Sequence, residues 1–450
     1  MAATPGTEGV SAARVTAVTA TAIVIADMIG TGVFTSLGFQ VADIRSGFVL
    51  LLLWLVGGIV ALCGATCYAE LAGLFPRSSG EYNFLRRLYH PAFGFVAGWI
   101  SAFVGFAAPV ALGAMAFGVY FQSVLPNAPP LISGLVIIWI AALVHILGGR
   151  FASAFHNVWT ALKLLLIAVF IVAGLAFVPW QPIGFAPQTG DVSQIISAPF
   201  AISLVFVMYA YSGWNAPIYI AGDVADMARS LPRALMIGTA IVTVLYLALN
   251  AVFLLTAPLN ELTGQIDVAM ISGKHIFGPV GSRIVGGLIS LGLVSSISAM
   301  MWIGPRVTMT MGEDMAVLGT FAKTSRGGVP IAAIVFQLAI ADLLLLTGSF
   351  ETVLDFVQLS LSLCSFFTVL GVIKMRITEP QRERPYRAWG YPLTPLVFLV
   401  VTAFMMCYLV VYRPWQSLAS FAIMLSGLIA YYISRRVSNV LSPNSSNNAA

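Results

Sequence analysis

The feature that most constrains this chain is a succession of apolar runs, each close to bilayer-crossing length and separated by short polar turns. A membrane helix needs about 20 apolar residues, because the hydrocarbon core is roughly 30 Å thick and a helix rises about 1.5 Å per residue. By that measure spans are predicted at 13–37, 46–75, 88–123, 130–149, 155–179, 196–224, 232–256, 280–312, 329–347, 351–376, 392–412 and 415–435. Only 9% of the residues are charged, against about 25% in an ordinary soluble domain. So apolar a chain cannot hide its surface from water as one globule. The predicted class is an all-α integral membrane protein of about twelve helices, with the lipid bilayer as its first partner. The net charge of +5 is scattered through short loops without a long basic tract, so nucleic acid is not an expected partner.

The charges also orient the chain. With both termini cytoplasmic, Arg14, Arg77, Arg86, Arg87, Arg150, Arg229, Arg233, Arg306, Lys323, Arg326, Lys374, Arg376, Arg382, Arg384, Arg387, Arg435 and Arg436 fall inside. Only Arg45, Lys274, Arg283 and Arg413 fall outside, and Lys163 lies within the fifth span. A miscounted helix would invert every loop after it, so this bias supports the even count. The first apolar run is too long for a secretory signal and lacks a cleavage site. Residues 1–12 are predicted as a cytoplasmic tail and 437–450 as a disordered one. The Asn444-Ser445-Ser446 sequon falls on the cytoplasmic side and is set aside. Cys63, Cys67, Cys364 and Cys407 sit in apolar runs without metal-ligand spacing, and neither metal nor cofactor is expected.

Two spans carry residues that break helices at mid-membrane depth. The first reads Ile25-Ala26-Asp27-Met28-Ile29-Gly30-Thr31-Gly32-Val33-Phe34, and the sixth Tyr209-Ala210-Tyr211-Ser212-Gly213-Trp214-Asn215-Ala216-Pro217. Glycine leaves helical geometry cheaply, and proline removes a backbone donor. Irregular backbone inside a bilayer must line a cavity or be buried in protein. Paired breaks opening two similar five-helix segments point to a transporter's binding site. Free amides at Gly30–Gly32 suit a carboxylate, and free carbonyls near Tyr209–Ser212 suit an ammonium, so the predicted ligand is a zwitterion. Close helix packing is the competing reading of either segment alone.

At these residues the chain resembles the amino acid–polyamine–organocation superfamily, most closely its L-type amino acid transporter-like branch. Gly30-Thr31-Gly32-Val33-Phe34 is similar to that family's first-helix signature. Pro76-Arg77-Ser78-Ser79-Gly80-Glu81-Tyr82-Asn83-Phe84-Leu85-Arg86-Arg87 resembles its loop after helix two. Tyr211-Ser212-Gly213-Trp214-Asn215 with Leu231-Pro232-Arg233-Ala234, and Arg384-Pro385-Tyr386-Arg387-Ala388-Trp389-Gly390-Tyr391-Pro392, resemble its later segments. The resemblance implies the leucine-transporter fold: repeats at 13–179 and 196–376 in an inverted 5+5 arrangement, then two further helices within 377–436. It implies a substrate carboxylate on the backbone of Thr31 and Gly32, an ammonium near Tyr209 and Tyr211, Tyr209 as an aromatic gate, and Asn215 near the substrate. It also implies that Lys163 replaces a coupling sodium ion, with Ser295 and Ser298 as neighbours. The loop at Pro126–Pro130 lacks the cysteine with which animal relatives bond a heavy subunit. No disulfide-linked partner is therefore expected, the protein looks prokaryotic, and a monomer or homodimer is anticipated.

An intramembrane lysine is costly unless it has a function. Lys163 is either a fixed tether to the first-span break or a group that exchanges a proton each cycle, with snorkelling to the cytoplasmic interface as the competing explanation. Asp27 departs from the family's usual neutral residue; it could bind a cation, pair with Lys163, carry a proton or accept structural hydrogen bonds. Glu70 and Glu81 are expected to pair with cytoplasmic arginines. Asp342 is expected to make a structural or oligomer contact, and His145 to be packed. The side-chain pocket is drawn from Met28, Tyr209, Trp214, Met300 and Met301, with Phe103 and Phe106 of the third span. The expected activity is secondary transport of amino acids, by proton-coupled symport or exchange. Neutral substrates are placed first, and a cationic amino acid or polyamine carrier using Asp27 is the runner-up. An intramembrane enzyme lacks its motifs, and a transport-dead sensor would need a signalling domain that these tails are too short to supply.

Overall fold

The computed structural model describes residues 15–77, 79–147, 152–325 and 327–441. Arg14, Ser78, Arg150, Arg326, the expected 1–12 tail and the Ser442–Ala450 segment with its sequon lie outside the described residues. Nine described helices are long and apolar enough to cross a membrane, and three shorter apolar ones occupy Ala161–Ala176, Ala198–Ala210 and Ile331–Leu346. Together they correspond to the twelve spans expected from the apolar runs.

The first span is α1 (Ala17–Met28) and α2 (Gly32–Asp43), and the second is α3 (Gly47–Leu74). A short helix α4 (Gly80–Leu88) leads to the third span, which consists of α5 (Pro91–Ile100), a π-helical turn at Ser101–Gly105 and α6 (Ala107–Phe121). The fourth is α7 (Pro130–Leu147) and the fifth α8 (Ala152–Ala176). After α9 (Asp191–Ile195), the sixth span is α10 (Ala198–Ala210) followed by a 3-10 helix at Ala216–Asp223. The seventh is α11 (Met227–Thr256). Beyond α12 (Leu259–Leu262), α13 (Val268–Asp314) forms the eighth. After α14 (Gly319–Ala322), the last four are α15 (Ile331–Leu346), α16 (Phe350–Thr378), α17 (Leu393–Tyr412) and α18 (Pro414–Leu441).

Three departures from the expected spans have local causes. The third span is interrupted by the π turn, which inserts a residue into the ladder and rotates α6 relative to α5. A helical segment from Val268 that was not expected precedes the eighth, set off from it by the non-helical Gly278 (φ 73°) before Pro279, and the span itself starts where expected. The last helix runs to Leu441, past the Arg436 boundary.

Packing of the spans follows a rule. The second part of the first span lies on the sixth (α2 on α10), the second on the seventh (α3 on α11), the third on the eighth (α6 on α13), and the fourth on the ninth (α7 on α15). Each of these four spans thus touches the one five places later. The broken spans are also joined at their polar ends. Val15 bridges Val224, and the Ala225 amide donates to the Val15 carbonyl at 2.9 Å. Helices α7, α15, α17 and α18 turn Trp139, Leu143, Leu343, Val400 and Trp415 outward. Such faces suit lipid, where an exposed apolar side chain carries no cost.

Charges at one end of the helices are satisfied in networks. Glu70 of α3, fully buried, accepts from Arg376 (2.6 Å), from Arg384 (3.1 Å) and from the Ala388 amide (2.6 Å). This is the arginine pairing expected for Glu70. Glu70→Ala would leave two guanidinium groups and an amide without their acceptor. Breaking a buried charge pair from one side costs about 3–5 kcal/mol. The variant should show a clearly lower melting temperature in detergent, with Glu70→Gln intermediate.

Candidate functional site

The two breaks lie against each other. At the first, helical geometry stops after Met28 and resumes at Gly32. At the second, α10 ends at Ala210, and a turn with Gly213 at φ 97° leads into the 3-10 helix. A Cβ on Gly32 would collide with the Ala210 backbone. A Cβ on Gly213 would lie 2.8 Å from the Asp27 carboxylate and 2.9 Å from the Asp27 carbonyl carbon. Each break therefore carries a glycine where the other span's backbone passes. Glycine is required by this reciprocal approach, and at Gly213 by its left-handed backbone as well.

Several backbone groups freed by the breaks already have partners. The Ile29 carbonyl accepts from Lys163 Nζ at 3.0 Å, and the same ammonium donates to Ser296 Oγ at 2.7 Å. Lys163 thus ties the fifth span to the first break and to the eighth span; it is buried and does not snorkel. The serine meeting it is Ser296, a residue not singled out in the sequence. Ser298 instead shares a hydrogen bond with His145 at 2.9 Å, because successive residues are turned about 100° around a helix. Ser295 is buried on the same helix. The Tyr246 hydroxyl lies between the carbonyls of Met28 (2.5 Å) and Ala210 (3.1 Å), joining the breaks through the seventh span. Tyr246 was not foreseen; it is one of several polar residues in that span, with Thr239, Thr243 and Asn250, and nothing local singles it out.

The carbonyl of Tyr209, expected to be free for an ammonium, accepts from the Ser212 amide (2.9 Å) and hydroxyl (2.6 Å). The Gly30 amide, expected to be free for a carboxylate, donates to the Met28 carbonyl at 2.8 Å. Among the described residues, the amides of Thr31, Gly32 and Val33 donate to no backbone carbonyl. They form the positive N-terminal end of α2, a setting that favours an anion.

A cavity of about 100 Å³ opens beside the breaks. Of the residues expected at the site, Asp27, Tyr209, Ser212, Gly213, Asn215 and Met300 line it. Trp214 and Phe106 line it as well. The π turn sets Ser101, Gly105 and Phe106 against this space, so the interruption missed in the sequence forms part of the wall. Met28, Ile29, Thr31 and Gly32 are buried instead of lining the cavity, and Gly30 is half-buried beside Ser296. Tyr209 is the wall residue that reaches them, sharing a 2.7 Å hydrogen bond with the Thr31 hydroxyl. Tyr211 was expected to offer its carbonyl, and its side chain lies away from the cavity. Its ring packs with Trp54 and Tyr246, and its hydroxyl donates to the Trp54 carbonyl at 3.0 Å, because the turn after Ala210 directs it toward Gly57 and Gly58 of α3. Met301 is fully buried, and Phe103 packs tilted against Trp99 and edge-on against Phe336.

Asp27 makes no ion pair with Lys163 among the described residues, although both flank the first break; its carboxylate faces Gly213 and the cavity. Glu81 is a correction. Among the described residues it pairs with no arginine. It is buried, accepts hydrogen bonds from Tyr68 and Ser365, and lines the same cavity as Asp27. The arginines beside it are turned away: Arg77 (3.2 Å) and Arg86 (2.5 Å) meet Asp314 at the end of α13.

Known proteins resemble this chain in sequence. A family model described as amino acid permease matches residues 15–433. The chain is 27% identical to the b(0,+)-type amino acid transporter 1 of Mus musculus, across 91% of this chain and 85% of that protein. It is 26% identical to the Large neutral amino acids transporter small subunit 2 of Mus musculus, across 92% of this chain and 80% of that protein. With its helices, its two abutting breaks and this match along nearly its whole length, the chain belongs to the amino acid permease family, whose members are transporters and not enzymes.

Proposed function

We propose that this protein is a secondary active transporter that moves amino acids across the cytoplasmic membrane by alternating access. The observation that carries this reading is the mutual contact of two interrupted spans beside a cavity, through Gly32 on Ala210 and Gly213 on Asp27. In the proposed cycle the substrate carboxylate takes the amides of Thr31, Gly32 and Val33, and Tyr209 gives up the Thr31 hydroxyl as the substrate enters. The ammonium meets Asp27 and the carbonyls of the sixth-span turn. Repeats 13–179 and 196–376 then rock about their shared contacts, with both termini cytoplasmic. Coupling is by proton symport or by exchange, with Lys163 holding the first break in place. The relatives' names join amino acid transport to this reading. The loop at Pro126–Pro130 contains no cysteine, which supports function without a disulfide-linked subunit.

One observation favours the runner-up substrate class over neutral amino acids. Two carboxylates, Asp27 and Glu81, line the cavity, and no lysine, arginine or histidine does so among the described residues. Such a wall suits a substrate bearing more positive than negative charge.

The test is uptake of labelled amino acids and amines by the purified protein in liposomes, with and without an imposed pH gradient, and with or without internal counter-substrate. Flux of an amino acid is expected. Binding without flux would favour a sensor, and absence of both would end the transport reading.

A further inference from the structure

Glu81 lies in the first turn of α4 and is 3% exposed, yet among the described residues it has no cationic partner. Its hydrogen bonds come from two neutral hydroxyls, Tyr68 of α3 and Ser365 of α16 (2.9 Å for the latter), and both meet the same oxygen, Oε1. Among the described residues Oε2 takes no protein hydrogen bond, and it is not one of the sealed polar atoms. The residue lines the cavity, with Oε1 anchored and Oε2 left without a protein hydrogen bond among the described residues. Nearby basic groups are committed elsewhere. Arg77 and Arg86 are held by Asp314, and Arg87 donates to the Asn83 side chain at 3.2 Å.

A carboxyl group in a low-dielectric wall with only neutral donors either holds its proton or takes a cation to offset its desolvation, and a cationic solute in the cavity would supply the second. The same wall carries Phe106, Met300, Ile303 and Leu361, a surface suited to methylene groups. The second acid is Asp27, in the last turn of α1 at the first-span break, where a substrate's head group would sit. An apolar wall bearing carboxylates from two separate elements matches a solute with an ammonium, an aliphatic stem and a second cation. Resting on the transport reading above, we propose that Glu81 receives the cationic end of the substrate side chain through Oε2, and that this permease selects amino acids with a long, positively charged side chain.

Position and contacts make Glu81 responsive to the cycle. Gly80, in left-handed geometry at φ 51°, lies against the Tyr219 ring; a Cβ there would be 2.5 Å from it. Tyr219 belongs to the 3-10 part of the sixth span and itself lines the cavity. Movement of that half-helix would shift the wall directly beside the carboxylate.

Lysine and norleucine share the same carbon skeleton and differ by the terminal ammonium, so their uptake ratio isolates the proposed contact. In liposomes, the unmodified protein should favour lysine over norleucine by about tenfold or more, since a site built around a polar group discriminates strongly against an analogue lacking it. Glu81→Gln should reduce that lysine-to-norleucine ratio by about tenfold or more. An unchanged ratio, with both rates reduced alike, would assign Glu81 a structural role and overturn the proposal. If the glutamine variant does not fold, the unmodified protein decides: a ratio at or below one overturns the proposal while leaving amino acid transport intact. No flux of either solute, or of any other amino acid, would remove the transport reading itself.

Discussion

Replacing Lys163 with methionine should reduce amino acid uptake by about a hundredfold or more, in exchange as well as under a pH gradient. The ammonium donates to the Ile29 carbonyl at 3.0 Å and to Ser296 Oγ at 2.7 Å. Methionine keeps the apolar stem but removes both donors. The Ile29 carbonyl, left unpaired by the end of α1, would then be buried without a partner, at a cost of about 1–3 kcal/mol. More important is what the contact fixes. Gly32 and Gly213 are each within collision distance of the opposite span's backbone, so a small drift of residues 29–31 changes the fit of both breaks. Gly292 of α13 also lies close to the lysine stem, so the side chain is packed along its length as well as bonded at its tip. The two roles considered for Lys163 separate here. A tether is needed in every mode of transport, so exchange fails with accumulation. A pure proton carrier would leave exchange running in Lys163→Met while abolishing acid-driven accumulation, and that result would refute the tether.

How much of this was legible in the sequence depended on whether a feature is local. Both helix breaks were visible, because Gly30-Thr31-Gly32 and Ser212-Gly213-Trp214-Asn215-Ala216-Pro217 concentrate helix-breaking residues where lipid would otherwise demand an intact ladder. The succession of spans was visible for the same reason, as length and apolarity are local quantities. Which face of a helix meets which neighbour is not local. Ser296, one position from the expected Ser295, is the hydroxyl seen at Lys163. Tyr211, two residues beyond Tyr209, faces α3 instead of the cavity. Glu81 sits among arginines in sequence, which suggested ion pairs, but Arg77 and Arg86 meet Asp314, Arg87 meets Asn83, and the glutamate turns inward. The π turn at Ser101–Gly105 has no motif of its own; its glycine and serine are unremarkable in a membrane helix. Tyr246 acts only because two distant carbonyls converge on its hydroxyl.

Gly32→Ala should reduce uptake by about a hundredfold, and by at least about tenfold more than Gly30→Ala. The two glycines flank Thr31 in one short motif, yet their surroundings differ. A Cβ on Gly30 meets nothing closer than Ser296 Oγ at 3.9 Å, an ordinary contact. A Cβ on Gly32 runs into the Cα, Cβ and amide nitrogen of Ala210. Those atoms belong to the last turn of α10 and cannot rotate away like the end of a flexible side chain. Relief therefore requires the two spans to separate. Separation would lengthen the Thr31–Tyr209 hydrogen bond, now 2.7 Å, and pull the Ala210 carbonyl from Tyr246, now 3.1 Å away. It would also displace the amide end of α2 from the wall that a substrate must share. Overpacking of this kind typically costs about 1–3 kcal/mol, which a membrane fold of this size can tolerate. The variant should accordingly be recovered folded but inactive, a state seen as near-normal yield and monodispersity beside lost uptake. Equal activity of the two alanine variants would mean that close approach of the spans at Gly32 and Ala210 does not define the working site.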